Sequence, residues 1–162
     1  MFFVYQLLLF LIFLISPIII LFRILKKKED KKRFTEKFAI FSKKRKPGKL
    51  IWFHGASVGE ILSVIPLIEK YEKDKSIDQI LVTTTTLSSA KVIEKFNFKK
   101  LVHQFYVIDI NFLTSKFLDF WKPSIAIFID SEIWPSMFKQ AKNRNIPLLL
   151  LNARITKKSF KR

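Results

Sequence analysis

From residue 49 onward, short apolar runs alternate with segments whose apolar residues recur at helical spacing. The apolar runs predict strands over residues 50–54, 79–84, 101–108, 124–129 and 147–151. The amphipathic segments predict helices over residues 58–74, 88–96, 111–121 and 133–143. Strands that alternate with helices through short connections form a parallel sheet with helices on both faces. The sequence therefore predicts one α/β domain over residues 49–162.

A different pattern occupies the amino-terminal end, where residues 2–22 carry no charge and only two clearly polar side chains, Gln6 and Ser16. As a helix, this stretch spans roughly 31 Å, close to the thickness of the hydrocarbon core of a bilayer. A cleaved signal peptide places its basic residues before the apolar run, whereas here the cations follow it. We therefore expect one uncleaved membrane helix over residues 1–25, kinked at Pro17, that crosses the bilayer or enters one leaflet obliquely.

The charge is concentrated directly after this helix. The whole chain has a formal charge of +17, and residues 23–49 contribute thirteen Lys and Arg against three acids. Such a segment favours the cytoplasmic side of a membrane and attracts anionic lipid headgroups. We expect residues 26–48 to form a basic juxtamembrane segment, with a hinge at residues 43–48. Nucleic acid is not an expected partner, because no groove-reading or base-stacking motif accompanies the charge.

Composition excludes several kinds of site. The chain has no cysteine, so it has neither disulfides nor thiolate metal ligands. Its two histidines are too few for a histidine-rich metal site. We expect His54 to be a buried core residue and His103 to lie at the surface.

The turn after the first predicted strand carries the most informative chemistry. Gly55, Ser57 and Gly59 surround a tight connection that delivers Glu60 to the start of a helix. This position is the carboxyl edge of a parallel sheet, where open α/β folds bind their ligands. A carboxylate there can take a proton from an attacking hydroxyl. The alternative is an ordinary helix-start acid, which the helix dipole favours in any case.

Other polar groups follow neighbouring strands at the same edge. Thr83–Ser89 could line a ligand or simply end a strand and cap a helix. In the segment after the fourth strand, Asp130 or Ser131 could cap the next helix, which leaves Glu132 as the better functional candidate. Arg154 could clamp a phosphate or carboxylate, or be a solvated surface cation.

Four of these motifs, in this order, resemble the amino-terminal half of the Kdo transferases. They are the run from His54 to Glu60, the run Thr83–Thr86, the segment from Glu132 to Pro135, and the triplet from Asn152 to Arg154. The apolar helix and the basic run from Arg33 to Phe38 fit the family as well. The resemblance implies a membrane-anchored glycosyltransferase of GT-B architecture, with two Rossmann-like domains. Such enzymes transfer 3-deoxy-D-manno-octulosonic acid (Kdo) from CMP-Kdo to the lipid A precursor.

By this resemblance, residues 49–162 form the Rossmann-like, acceptor-binding domain, and Glu60 is the general base. The resemblance makes Glu132 a second carboxylate of the site and implies that the function needs no metal and no cofactor. We also expect substrate binding at Gly55, Ser57, Gly59, Thr84 and Arg154, the candidates that the sequence itself offers. Its implied partners are the lipid A precursor, CMP-Kdo and anionic lipids at the cytoplasmic face of the bacterial inner membrane. The sequence stops where the donor-binding domain begins in the family, so we expect the isolated chain to be inactive. The alternative is a non-enzymatic, membrane-anchored module that binds anionic lipid or a partner.

Overall fold

The structure is a computed structural model that describes residues 2–130 and 132–153, with side chains from residue 4 onward. Five strands form one parallel sheet in the order β3-β2-β1-β4-β5. The strands are β1 Leu50–His54, β2 Gln79–Thr84, β3 Leu101–Phe105, β4 Ile125–Ile129 and β5 Leu148–Leu151. The helices are α1 Phe2–Leu25, α2 Val58–Lys73, α3 Leu87–Ile93, α4 Asn111–Trp121 and α5 Pro135–Asn143. The predicted parallel α/β fold is confirmed.

Alternation along each strand divides the core between the two faces of the sheet. On β1, Leu50 and Trp52 face the cluster that includes Phe117 and Trp121 of α4. Their neighbours on β1, Ile51 and Phe53, face the cluster built with the α2 side chains Ile61, Val64, Ile65 and Ile68. Because successive side chains of a strand point to opposite faces, helices must cover both sides, as the apolar strands predict.

Several predicted boundaries differ by one or two residues, and two are wrong by three residues for identifiable reasons. Helix α3 ends at Ile93 rather than residue 96, because the next residues form tighter i→i+3 turns, such as Phe96 N–H to Ile93 O. Strand β3 ends at Phe105 rather than residue 108, because its partner β2 ends at Thr84, the residue opposite Phe105.

The basic segment is fastened to the domain rather than hinged. A short 3₁₀ helix, Phe34–Phe38, carries the buried Glu36. The Glu36 carboxylate accepts two hydrogen bonds from Arg33, at 2.9 and 3.1 Å, and one from the Phe105 N–H of β3, at 2.8 Å. The side chain of Arg45 donates to the Trp121 carbonyl at 2.6 Å, inside the expected hinge. The expected hinge at residues 43–48 is therefore wrong.

His103 is buried, which corrects its predicted surface position. The Arg33 guanidinium lies 2.9 Å from His103 Nδ1, and the Thr84 hydroxyl lies 2.9 Å from Nε2. Because Arg33 can only donate, Nδ1 must accept and Nε2 must carry the proton. Burial, helped by the charges of Arg33 and Lys43, lowers the pKa of His103 to about 3, so the ring is neutral.

Candidate functional site

The candidate site lies where the strand order of the sheet reverses. Strand β1 pairs with β2 on one side and with β4 on the other, so the connections that leave β1 and β4 diverge to opposite faces. In open α/β sheets this divergence opens a crevice at the carboxyl ends of the strands, and ligands bind there. Glu60 lies on the β1–α2 turn and Glu132 on the β4–α5 segment, so the topology brings both carboxylates to this point.

Glu60 closes a capping box at the start of α2. Ser57 is the N-cap residue, and its hydroxyl accepts a hydrogen bond from the Glu60 N–H at 3.2 Å. In return, Glu60 Oε1 accepts from the Ser57 hydroxyl at 2.6 Å and Oε2 accepts from the Ala56 N–H at 2.8 Å. These bonds fix the rotamer of a half-buried carboxylate at the mouth of the crevice. The ordinary structural role of a helix-start acid is therefore present, and the predicted chemical role of Glu60 stays a prediction.

The two glycines of the turn have different surroundings. A Cβ on Gly55 would lie 3.0 Å from Ile61 and 3.1 Å from Ile129, so the packing of the protein's own core favours a glycine there. At Gly59, by contrast, an added Cβ would meet no atom within 4 Å outside its chain neighbours. The packing around Gly59 therefore does not explain the glycine, and its predicted contact with substrate stays a prediction.

The Thr-rich loop after β2 braces this turn. The hydroxyls of Thr85 and Ser89 donate to the Ala56 carbonyl at 3.2 and 3.1 Å. Thr86 caps α3, as the sequence predicts for this run. Thr84 is fully buried and its hydroxyl faces His103, so its predicted contact with substrate stays a prediction.

Glu132 contacts the Trp134 indole and the buried ring of His54, which lie on the core side of the crevice. Its Oε2 accepts from the Trp134 indole N–H at 3.0 Å and lies 3.6 Å from His54 Nε2. Among the described residues, none donates a hydrogen bond to the other oxygen, Oε1. His54 itself is fully buried, as predicted for a core histidine. A buried base therefore lies directly beneath a partly exposed carboxylate.

The protonation state of His54 follows from a chain of buried hydrogen bonds. The Trp52 indole N–H donates to Thr83 Oγ1 at 2.8 Å, and His54 Nδ1 lies 2.9 Å from the same oxygen. Since Trp52 can only donate, Thr83 is the acceptor there, and its own proton can go to His54 Nδ1 or to the Phe53 carbonyl, 3.4 Å away. Because an ionised carboxylate can only accept, Glu132 favours the tautomer of His54 that carries its proton on Nε2.

Burial and charge act in opposite senses on this pair. Burial lowers the pKa of His54 and keeps the ring neutral, although Glu132 and the more distant Glu60 both oppose the shift. The interaction with His54 in turn lowers the pKa of Glu132 below its usual value. The crevice therefore holds an ionised Glu132 over a neutral imidazole at neutral pH.

The start of α5 is capped in a way that the sequence does not reveal. Asp130 is not the cap, because α5 begins at Pro135 and its N-cap is Trp134, which makes no capping bond with its side chain. Asp109, from the connection after β3, accepts instead from the N–H groups of Ser136 and Met137, each at 2.8 Å. Burial raises the pKa of the Asp109 carboxyl, and these bonds oppose that shift.

Asp130 has a different structural role. It adopts a left-handed φ of 55° and accepts from the Asn152 amide at 2.5 Å, which links the ends of β4 and β5. Ser131 and Arg154 lie outside the described residues, so the predicted clamp at Arg154 stays a prediction. Within the described part of the chain, no group of three or more acids and histidines is arranged to hold a metal.

A basic cavity of about 390 Å³ lies near the Thr-rich loop, between the end of α1 and the start of α3. Its lining combines four cations with two hydroxyls and contains no acid: Arg23, Lys27, Lys28, Lys91, Thr86, Ser88 and, beside them, Leu87. A phosphate group matches this lining in charge and in hydrogen-bonding capacity.

Comparison with known proteins identifies a family for this chain. The family model described as 3-deoxy-D-manno-octulosonic-acid transferase (kdotransferase) matches residues 32–162. A probable mitochondrial 3-deoxy-D-manno-octulosonic acid transferase from Arabidopsis thaliana is 42% identical over 99% of this chain and 36% of its own length. The corresponding transferase of Rickettsia bellii is 42% identical over 93% of this chain and 37% of its own length. The transferase of Haemophilus influenzae is 29% identical over 82% of this chain and 31% of its own length. The chain therefore spans about a third of the length of these relatives.

Proposed function

This chain belongs to the Kdo transferase family, and we propose that it forms the acceptor-binding part of an enzyme that transfers Kdo from CMP-Kdo to a lipid A precursor. The observation that carries the proposal is the pair of carboxylates, Glu60 and Glu132, at the reversal point of the sheet. The relatives are about three times as long as the matched region. Binding of the CMP-sugar therefore belongs, in this proposal, to a part of the enzyme outside this sequence.

Glu60 acts as the general base. Its carboxylate takes the proton of an acceptor hydroxyl while that oxygen attacks the anomeric carbon of Kdo. The bond between this carbon and the phosphate oxygen breaks, and CMP leaves with the electron pair. The capping box supports this role because it holds the carboxylate in one rotamer.

Glu132 orients the acceptor sugar. Its Oε2 is engaged by Trp134 and faces His54, so Oε1 is the oxygen directed to a substrate hydroxyl. The phosphate of the acceptor occupies the basic cavity beside the Thr-rich loop. That loop touches the Glu60 turn through the Ala56 carbonyl, so one ligand can reach both places. Anionic lipids around the acceptor bind the rest of the basic segment, at the cytoplasmic face of the membrane.

Glu60→Gln in the full-length enzyme tests the base. Glutamine preserves a capping box, so the midpoint of thermal unfolding should hardly change. Kdo transfer from CMP-Kdo should nevertheless fall by about 10²- to 10⁴-fold, the usual contribution of a general base. Glu69→Gln, an exposed acid on the same helix, is the matched control and should retain full activity.

Full activity of Glu60→Gln would remove Glu60 from the mechanism. If Glu132→Gln alone then abolished transfer, the base would be Glu132. If neither change affected transfer while acceptor binding persisted, the chain would be a binding module.

A further inference from the structure

Helix α1 lies against the domain along its whole length. Its less exposed side chains recur every three or four residues and form one stripe, the docked stripe: Gln6, Leu9, Phe13, Ser16, Ile20 and Arg23. Ser16 and Ile20 are 5% and 6% exposed, although most of their neighbours on α1 are about half exposed. Spacing of three and four residues places side chains on one face of a helix, so one face of α1 is committed to the protein.

Polar contacts fix the amino-terminal end of this stripe. The Tyr5 hydroxyl donates to Asp109 at 2.7 Å, and the Gln6 amide donates to the Ser136 hydroxyl at 2.6 Å. The Gln6 carbonyl oxygen also accepts from the Asn111 N–H at 3.2 Å. These partners lie at the starts of α4 and α5, on the edge of the sheet that carries the candidate site. The beginning of α1 is therefore docked beside the β4–α5 segment.

The middle and the end of the helix are also held. The Phe13 ring lies 5.8 Å from that of Phe38 and 5.6 Å from that of Phe112, both in edge-on contact. At the end, Arg23 pairs with the buried Glu29 of the basic segment at 2.9 Å. The domain thus contacts α1 near its start and at its centre, and the basic segment holds its last turn.

These contacts conflict with a helix that crosses the bilayer. Gln6 and Arg23 are separated by about 25 Å along the helix axis, at 1.5 Å per residue. In a spanning orientation, Gln6 would lie near the headgroups of the far leaflet. Its partners Asn111 and Ser136 would have to follow it, so the edge of the sheet would lie within the bilayer. Polar backbone at that depth has no solvent to satisfy it. The stretch Val4–Leu25 is long and apolar enough to span when judged alone, so the docking contacts decide the orientation.

The opposite face of α1 is suited to lipid. It exposes only apolar side chains between residues 4 and 22, apart from the docked stripe, for example Leu14, Ile18 and Phe22 at 58–60%. Phe112, which packs on Phe13, is also 52% exposed and extends this apolar surface onto α4. Three consecutive lysines, Lys26, Lys27 and Lys28, follow directly at the end of the helix. An apolar face that ends in a cationic cluster matches the boundary between acyl chains and anionic headgroups.

We propose that α1 is an in-plane anchor: it lies within one leaflet, with its docked stripe on the domain, its apolar face in the acyl region, and both of its ends on the side of the membrane that holds the domain. The partner is a bilayer surface that contains anionic lipid. This inference rests on the proposed membrane association but not on Kdo transfer. Since α1 begins beside Ser136, the anchor also holds the rim of the candidate site at the level of the headgroups.

Crosslinking in membranes tests the orientation, and the chain suits it because it has no cysteine of its own. Gln6→Cys with Ser136→Cys places two thiols at the docked end, where a short bismaleimide should join them in sealed membrane vesicles. Ile18→Cys with Ser136→Cys is the control, because residue 18 lies about 18 Å further along the helix. Phe13→Cys with Phe112→Cys repeats the test at the centre of the helix, in case Ser136→Cys disturbs folding.

The expected result is efficient crosslinking of both docked pairs and little of the control pair. A helix that spans the membrane leaves the Gln6 pair unlinked in membranes, which overturns the proposal. Equal crosslinking of the control pair means an undocked helix and overturns it too. Protein that fails to sediment with vesicles containing anionic lipid excludes the bilayer as partner. No arm of this experiment measures transfer, so its failure is distinct from failure of the proposed enzyme function.

Discussion

The two acidic connections at the candidate site are built in different ways. In the β1–α2 turn, Glu60 is held by Ala56 and Ser57, no more than four residues away in sequence. In the β4–α5 segment, Glu132 is held partly by its neighbour Trp134 but also by His54, which belongs to another strand. The helix that follows is capped by Asp109, from a third element. The first connection is thus a local motif, whereas the second depends on the assembled sheet.

The largest expected effect is a loss of folding stability at acidic pH, because the assembled sheet buries two histidines. The pKa of His103 is lowered to about 3, and that of His54 is lowered as well, because both rings are buried. Below about pH 6.5 the unfolded chain binds protons that the folded chain does not, so stability is lost as pH falls from about 6.5 toward about 3. Between pH 7.5 and pH 5.0, His103 alone should cost about 2 kcal/mol, and His54 adds to that loss.

Urea unfolding of the detergent-solubilised chain, followed by tryptophan fluorescence at the two pH values, measures this loss. His103→Gln is the control, since the pH dependence that remains in that variant belongs largely to His54. Equal stability at both pH values would show that the buried rings are not kept neutral, and the hydrogen-bond chain beneath Glu132 would then be wrong.

Thr83→Val should have the next largest effect. Valine matches threonine in shape but cannot form a hydrogen bond with the Trp52 indole N–H or with His54 Nδ1, so two buried groups lose their partner. We expect a loss of about 2 kcal/mol, together with a change in the tautomer of His54 that nitrogen NMR can detect. Thr85→Val, which removes a hydroxyl from the partly exposed loop, should cost clearly less. Equal losses in the two variants would contradict the importance of the buried chain.

Ser57→Ala should have the smallest effect of the three. It removes the N-cap of α2 and one of the two hydrogen bonds to the Glu60 carboxylate, for a loss of about 1 kcal/mol. Because the motif is local, the environment of Trp134 should not change. Ser63→Ala, in the next turn of the same helix, is the matched control. A shift in the Trp134 signal upon Ser57→Ala would show that the two connections are coupled after all.

This contrast explains what the sequence could and could not predict. The strands, α2, α4 and the Glu60 turn follow from period, capping residues and glycines, which are properties of neighbouring residues. The burial of His103, the capping of α5 by Asp109 and the pairing of His54 with Glu132 each join residues that are distant in sequence. A histidine in an apolar strand signals burial, but only the register of β1 against β2 and β4 shows which groups its nitrogens meet. The expected hinge was wrong for the same reason, since nothing local marks Arg45 as a partner of Trp121.

The Asp109 carboxylate accepts hydrogen bonds from two parts of the protein. One comes from the Tyr5 hydroxyl of α1, and the others come from the first backbone N–H groups of α5. Lifting the amino-terminal helix off the protein withdraws one of those donors. The buried Asp109 carboxylate then accepts fewer hydrogen bonds, which raises the free energy of its charged form. Its capping of α5, through Ser136 and Met137, becomes less favourable. If α1 is the proposed in-plane anchor, its docking and the position of the β4–α5 segment are thermodynamically linked through Asp109.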